Sequence, residues 1–297
     1  MCQREKMINV VDNNSERDSH MAMTDLKFVQ GFARLCDDGF QQGWHERNGG
    51  NLTYRLTDEE VEEARPFFDE TPHDWVKMGV KAPSMAGKFF MAKGSGCYMR
   101  NMLTDTEANA GIVEIGPEGD TYRIRWGLTL YGKPTSEFES HFMNQAVRCE
   151  HDGWKTRVCY HMHTPGIIEM SFIVPLEDRA FSRILWQMMT ECVVVFPQGV
   201  GVVPWMVPGG PAIADATSEK MKTYTAAVWA HHGLFATGET FDEAFGLAHT
   251  IEKAAQLYIA TRAANGGSDK FLNVISDEGL KQTCHDFGIK INEDFVD

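Results

Sequence analysis

A chain of 297 residues, 43% of them hydrophobic, can bury a full core as one large domain or two modest ones. Its formal net charge of -14 argues against nucleic acid or an anionic membrane surface as partner, since both reward clustered Lys and Arg. No run approaches the roughly 18 consecutive apolar residues that span a bilayer. Seven cysteines without a Cys-x-x-Cys pair suit a reducing compartment, so a soluble cytoplasmic protein is expected.

Residues 1–24, polar around Asp12-Asn13-Asn14-Ser15-Glu16-Arg17-Asp18, lack the apolar core of a secretion signal and read as a flexible extension of one domain over 25–297. Residues 25–44 place Leu26, Val29, Phe32, Ala33 and Phe40 at near-helical spacing, ahead of the glycine-bearing run Trp44-His45-Glu46-Arg47-Asn48-Gly49-Gly50-Asn51. Residues 52–56 alternate like a strand; the acidic run 58–63 reads as a solvated face, followed by a loop through Pro66, Pro72 and Pro83. A strand over 89–92 leads into Lys93-Gly94-Ser95-Gly96, and 111–115 with 122–126 form a hairpin around Pro117-Glu118-Gly119-Asp120.

From Pro134-Thr135-Ser136-Glu137 a helix is predicted, with Thr135 or Ser136 as N-cap, Glu137 in the first turn and Phe138, Phe142 and Ala146 on the apolar stripe. Then come a strand over 158–164, a helix over 177–190, a buried strand over 193–196, a helix over 212–224 and a strand over 227–232. A long helix over 240–265, stopped by Gly266-Gly267, and a last helix over 276–287 complete the chain. Strands interleaved with helices predict an α/β fold, one layered αβα unit.

On a strand, His161 and His163 project from the same face, so one ion can meet both. The same alternation admits only one of His231 and His232 to a given face, and His232, at the strand's end beside Gly233, is the favoured third ligand. Three histidines with positions left open is the pattern of catalytic zinc, whereas structural zinc is closed by four protein ligands rich in cysteine. Cys159 shares the parity of His161 and His163 but reads as a small buried hydrophobe.

An acidic chain that holds an anion must do so with local donors. Gly94-Ser95-Gly96 is too short for a P-loop, yet with Asn48-Gly49-Gly50-Asn51 and Thr135-Ser136 it makes three elements suited to one phosphate pocket. Two carboxylates stand out. Glu137 lies beside that pocket, and Glu191 precedes the apolar run 192–196, where partial desolvation would raise its pKa toward a value useful for proton transfer.

Taken in order, Glu46-Arg47-Asn48-Gly49-Gly50-Asn51-Leu52-Thr53, Gly94-Ser95-Gly96, Trp126-Gly127-Leu128, Pro134-Thr135-Ser136-Glu137, His161-Met162-His163, Thr190-Glu191-Cys192, Pro204-Trp205-Met206-Val207-Pro208-Gly209 and His232-Gly233 resemble the zinc-dependent class II sugar-phosphate aldolases, from about Leu26 to Phe287. The resemblance implies a single three-layer αβα domain with a central, largely antiparallel sheet, assembled as a cyclic homotetramer with active sites near subunit interfaces and one Zn2+ per subunit. It places His161, His163 and His232 as zinc ligands and Glu137 as the catalytic carboxylate near the metal. Asn48, Gly50, Asn51, Ser95, Gly96, Thr135 and Ser136 fall around a dihydroxyacetone phosphate moiety, and Glu191 at the aldehyde end as a second acid/base.

Lys93 departs from the small hydroxyl residue expected before Gly-Ser-Gly, and either adds a cation near phosphate or points away. Within the same fold, a pentulose-phosphate 4-epimerase or a thiosugar-phosphate dehydratase would share the metal, whereas a non-catalytic cytoskeletal binding module has no chemical need for the three histidines with Glu137.

Overall fold

A computed structural model describes residues 21–71 and 73–297. Helix α1 (Lys27–Gln41) buries Phe28, Val29, Phe32, Ala33, Leu35 and Cys36 along one stripe, the spacing that predicts it. Strand β1 (Asn51–Arg55) follows the glycine loop. The acidic run is a short helix, α2 (Asp58–Ala64), opened by a capping box between Thr57 and Glu60, with Val61 and Ala64 turned inward. Next come β2 (Val76–Lys77), β3 (Phe89–Lys93), α3 (Thr106–Asn109) and the hairpin β4 (Ala110–Ile115) with β5 (Thr121–Gly127).

Helix α4 (Phe138–Asp152) leads to β6 (Val158–Met162), α5 (Pro165–Ile173), α6 (Asp178–Met188) and α7 (Thr190–Val195). The chain closes with β7 (Gly201–Val203), α8 (Pro211–Met221), β8 (Ala226–Trp229), β9 (Gly233–Gly238), α9 (Phe241–Ala264) and α10 (Asp277–Asp286).

The strands form one sheet in the order β2-β5-β4-β3-β1-β6-β9-β8-β7, antiparallel throughout except for the β7–β8 pair. Alternation along each strand supplies both faces. Val158, Tyr160 and Met162 of β6 enter the core shared with Phe32 of α1, Leu185 and Trp186 of α6 and Ile251 of α9. Val113 and Ile115 of β4 pack with Phe138, Phe142 and Ala146 of α4, and Cys159 joins Ile213 and Met221 of α8. Helices on both faces of a mostly antiparallel sheet make the expected αβα layering, with Cys159 in the core as read. No helix among the described residues is long and apolar enough to cross a membrane.

Four local expectations are corrected. Residues 193–196 are not a strand: 193–195 complete α7 and Phe196 caps it, with Cys192, Val193 and Phe196 buried, and a run of four apolar residues carries no periodicity to tell helix from strand. The strand expected over 227–232 stops at Trp229, and the chain reverses through Ala230-His231-His232 into β9, which had no sequence signal of its own. Helix α4 starts at Phe138, so Thr135 and Ser136 precede it and Glu137 is its N-cap residue rather than part of the first turn. The His-x-His strand ends at Met162. Residues 1–20 of the expected extension, and Pro72, lie outside the described residues, and Met23, near its end, is buried.

Candidate metal centre and phosphate cavity

Antiparallel pairing sets Asn51 of β1 opposite His161 of β6, and His161 opposite Phe235 of β9, so Asn51 and His161 share the face beneath the start of α4. The His161 ring is fully buried, stacks on Phe235 at 4.4 Å and donates from Nδ1 to the Leu234 carbonyl at 3.1 Å. Its Nε2 has no hydrogen-bond partner. His163, past the strand end, is pinned by its N–H to the Trp44 carbonyl at 3.1 Å, and its Nδ1 bonds Glu46 Oε1 at 2.6 Å. His232 closes the β8–β9 turn.

Ligand atoms of His161, His163 and His232 all lie within 4.8 Å of one another, with ring centroids 4.9 to 5.2 Å apart. An orphaned buried Nε2 among three converging imidazoles, two of them oriented through Nδ1, suits a divalent cation. Burial, reinforced by the other histidines, holds His161 well below its ordinary pKa, and burial followed by the His163 charge takes His232 down to about 4. Both are therefore neutral at pH 7, the state that binds metal.

His231 turns away, as the choice of His232 requires. It sits in the left-handed region at φ 60°, its N–H donates to Ser171 Oγ at 2.9 Å, and its exposed ring packs on Phe172 at 4.4 Å. Ser171, which had no signal in the sequence, thus braces the turn that presents His232.

The Glu137 carboxylate is buried, 3.6 Å from His161 Nε2, and accepts a hydrogen bond from the Asn51 side-chain amide. Asn51 in turn accepts from the Thr135 hydroxyl, which also accepts the Glu137 N–H at 3.3 Å. Burial raises Glu137 to about 7, with the Asn51 bond and the Lys93 charge opposing the rise. A carboxyl poised near neutrality is suited to proton transfer, and a cation on the histidines would draw it lower.

A cavity of about 200 Å3 opens before these groups, lined by Asn48, Gly49, Gly50, Asn51, Lys93, Ser95, Gly96, Thr135, Ser136, Glu137, His163 and His232. The three expected phosphate elements therefore meet. Hydrogen bonds from Ser95 N–H to the Lys133 carbonyl at 3.1 Å and from Thr135 N–H to the Lys93 carbonyl at 2.8 Å hold two of them together. Gly50, at φ 74°, lets the first loop lie against His45, whose Nε2 is 2.7 Å from the Tyr160 hydroxyl. Neither His45 nor Tyr160 was singled out from the sequence.

Glu191 is not brought into this cavity. It is exposed on α7, so the desolvation expected from the neighbouring apolar run does not occur. A larger cavity, about 470 Å3, lies at the other end of β9; its Arg148 already donates to the Met221 carbonyl, and it gathers none of the expected residues.

Residues 30–259 match the family model described as Class II Aldolase and Adducin N-terminal domain. A rhamnulose-1-phosphate aldolase of Listeria monocytogenes (serovar 1/2a) is 39% identical over 275 residues, spanning 92% of this chain and 97% of that protein. One of Yersinia pestis (strain Pestoides F) is 41% identical over 239 residues, 80% of this chain and 87% of that protein. Among solved structures, a sugar-phosphate aldolase from Thermotoga maritima superposes with a TM-score of 0.67 at 23% identity, covering 81% of this chain and 96% of that one, which is a likeness of fold.

Proposed function

Because this chain belongs to the class II aldolase and adducin N-terminal domain family, we propose that it is a lyase that reversibly cleaves L-rhamnulose 1-phosphate to dihydroxyacetone phosphate and L-lactaldehyde. One observation carries the reading beyond the family: His161, His163 and His232 converge beside Glu137, and His163, His232 and Glu137 line the cavity in which the three loop elements meet. A binding module has no use for that set. The substrate follows the relatives at 39% and 41% identity.

His161, His163 and His232 would hold one Zn2+ per subunit. Bound there, the cation supplies Lewis acidity toward the ketone and the adjacent hydroxyl oxygen, where negative charge develops as the bond beside the ketone breaks. Asn48, Gly50, Asn51, Ser95, Gly96, Thr135 and Ser136 hold the phosphate and ketose end, so that binding energy at the unreacting group fixes the C3–C4 bond in place. Glu191 takes the C4 hydroxyl proton, and Glu137, steered by Asn51, exchanges a proton at C3.

Since Glu191 is exposed outside its own cavity, the reading includes a homotetramer in which α7 of one subunit completes a neighbour's site. The buried, unpaired cysteines among the described residues support a cytoplasmic setting in rhamnose catabolism. The test is incubation of the protein with L-rhamnulose 1-phosphate, with and without a chelator. Chelator-sensitive release of dihydroxyacetone phosphate is expected; an epimerised or dehydrated phosphate, or no product with zinc supplied, overturns the assignment.

A further inference from the structure

Lys93 ends β3 at 1% exposure, and its ammonium makes one hydrogen bond among the described residues, 2.8 Å to the Asn48 carbonyl. No ion pair among the described residues includes it. The charges that reach it are Cys36, Cys97 and Glu137; burial pushes both thiols upward, leaving them neutral at pH 7, and the Glu137 carboxylate is turned to the Asn51 amide and lies 3.6 Å from His161 Nε2. Burial also lowers Lys93, to about 8, which still leaves it mostly protonated at neutral pH.

A buried ammonium normally has a counter-charge or a full set of acceptors. Lys93 has neither, and it lines the cavity that also contains Ser95, Gly96, Thr135 and Ser136. Those neighbours offer neutral donors, and the one carboxylate that lines the cavity, Glu137, is bonded by the Asn51 amide and forms no ion pair with Lys93. The missing partner is therefore an anion in the cavity.

We propose that Lys93 is the charge partner of a phosphate monoester held between these elements, and that it also tethers the loop carrying Asn48. The identity of the substrate rests on the sugar-phosphate reading above, whereas the anion subsite follows from the unpaired ammonium. Asn48, engaged by a buried cation, presents its carbonyl to Lys93 rather than to the incoming oxygens, so one residue supplies attraction and removes a repulsion.

The experiment is calorimetric titration of the full-length, zinc-loaded protein with inorganic phosphate, on the parent, Lys93→Met and Lys93→Gln. Loss of a charge-assisted bond should raise the phosphate Kd by on the order of tenfold or more. In parallel, the ratio of kcat/KM for L-rhamnulose 1-phosphate over unphosphorylated L-rhamnulose should fall by a similar factor, which a merely structural lysine would leave unchanged. Glutamine provides a second, hydrogen-bonding replacement should methionine unfold the loop, with melting curves identifying the folded variants. A phosphate Kd within twofold of the parent in a folded variant, or equal loss on both ketoses, overturns the proposal. If phosphate binding depends on Lys93 while the parent fails to cleave L-rhamnulose 1-phosphate, the subsite stands and the substrate reading falls.

Discussion

Gly50→Ala tests how tightly the loop before β1 is built against β6. A Cβ at this position would lie 2.2 Å from His45 Nδ1, 2.5 Å from His45 Cε1 and 2.9 Å from the His161 carbonyl oxygen, on a backbone at φ 74°. The left-handed conformation alone costs a residue with a side chain about 1–2 kcal/mol. Crowding a packed site adds about 1–3 kcal/mol, because the His45 ring is held by Tyr160 at 2.7 Å and the carbonyl belongs to β6. The sum, roughly 2–5 kcal/mol, should lower the melting temperature by on the order of 5–15 °C at fixed protein concentration. Circular dichroism melts measure this. In a His45→Ala background the ring is gone while the His161 carbonyl stays, so Gly50→Ala should then cost less by most of the crowding part, about 1–2 kcal/mol. A melt within about 2 °C of the parent, or the same loss in both backgrounds, would refute the account of this loop.

His232→Ala should lose metal and activity, whereas His231→Ala keeps its metal, as read by zinc content; the reverse would falsify the ligand set. Since His161 and His232 are held below their ordinary pKa, protons compete poorly for them, and zinc occupancy should change little between pH 8 and pH 6; loss on that descent contradicts the burial argument. Glu137→Gln should retain zinc while turnover drops on the order of a hundredfold or more, and near-normal turnover would make Glu137 a structural residue. Glu191→Gln should be similarly impaired. Mixing dissociated Glu137→Gln and Glu191→Gln subunits and reassembling them should restore part of the activity, because some hybrid sites then hold both carboxylates; no recovery in verified hybrids removes Glu191 from the neighbour's site.

Local chemistry and period decided much of this protein before any tertiary contact was known. The stripe on α1, the hairpin of β4 and β5, and the starts of the last two helices near Thr240 and Ser276 are readable because each depends on residues a few positions apart. The pairing of His161 with His163 is local in the same way, since strand parity survives even though the strand ends at Met162. Packing decided the rest. Residues 193–195 became helix because α6, α9 and α10 pack on α7, and a short apolar run obeys whichever neighbours bury it. The β8–β9 turn at His231, which sets His232 beside His161 and His163, depends on Ser171 sixty positions away, and the Asn51–Glu137 contact bridges 86. Such partners are set by how the sheet and its helices close on one another, so no window of sequence contains them.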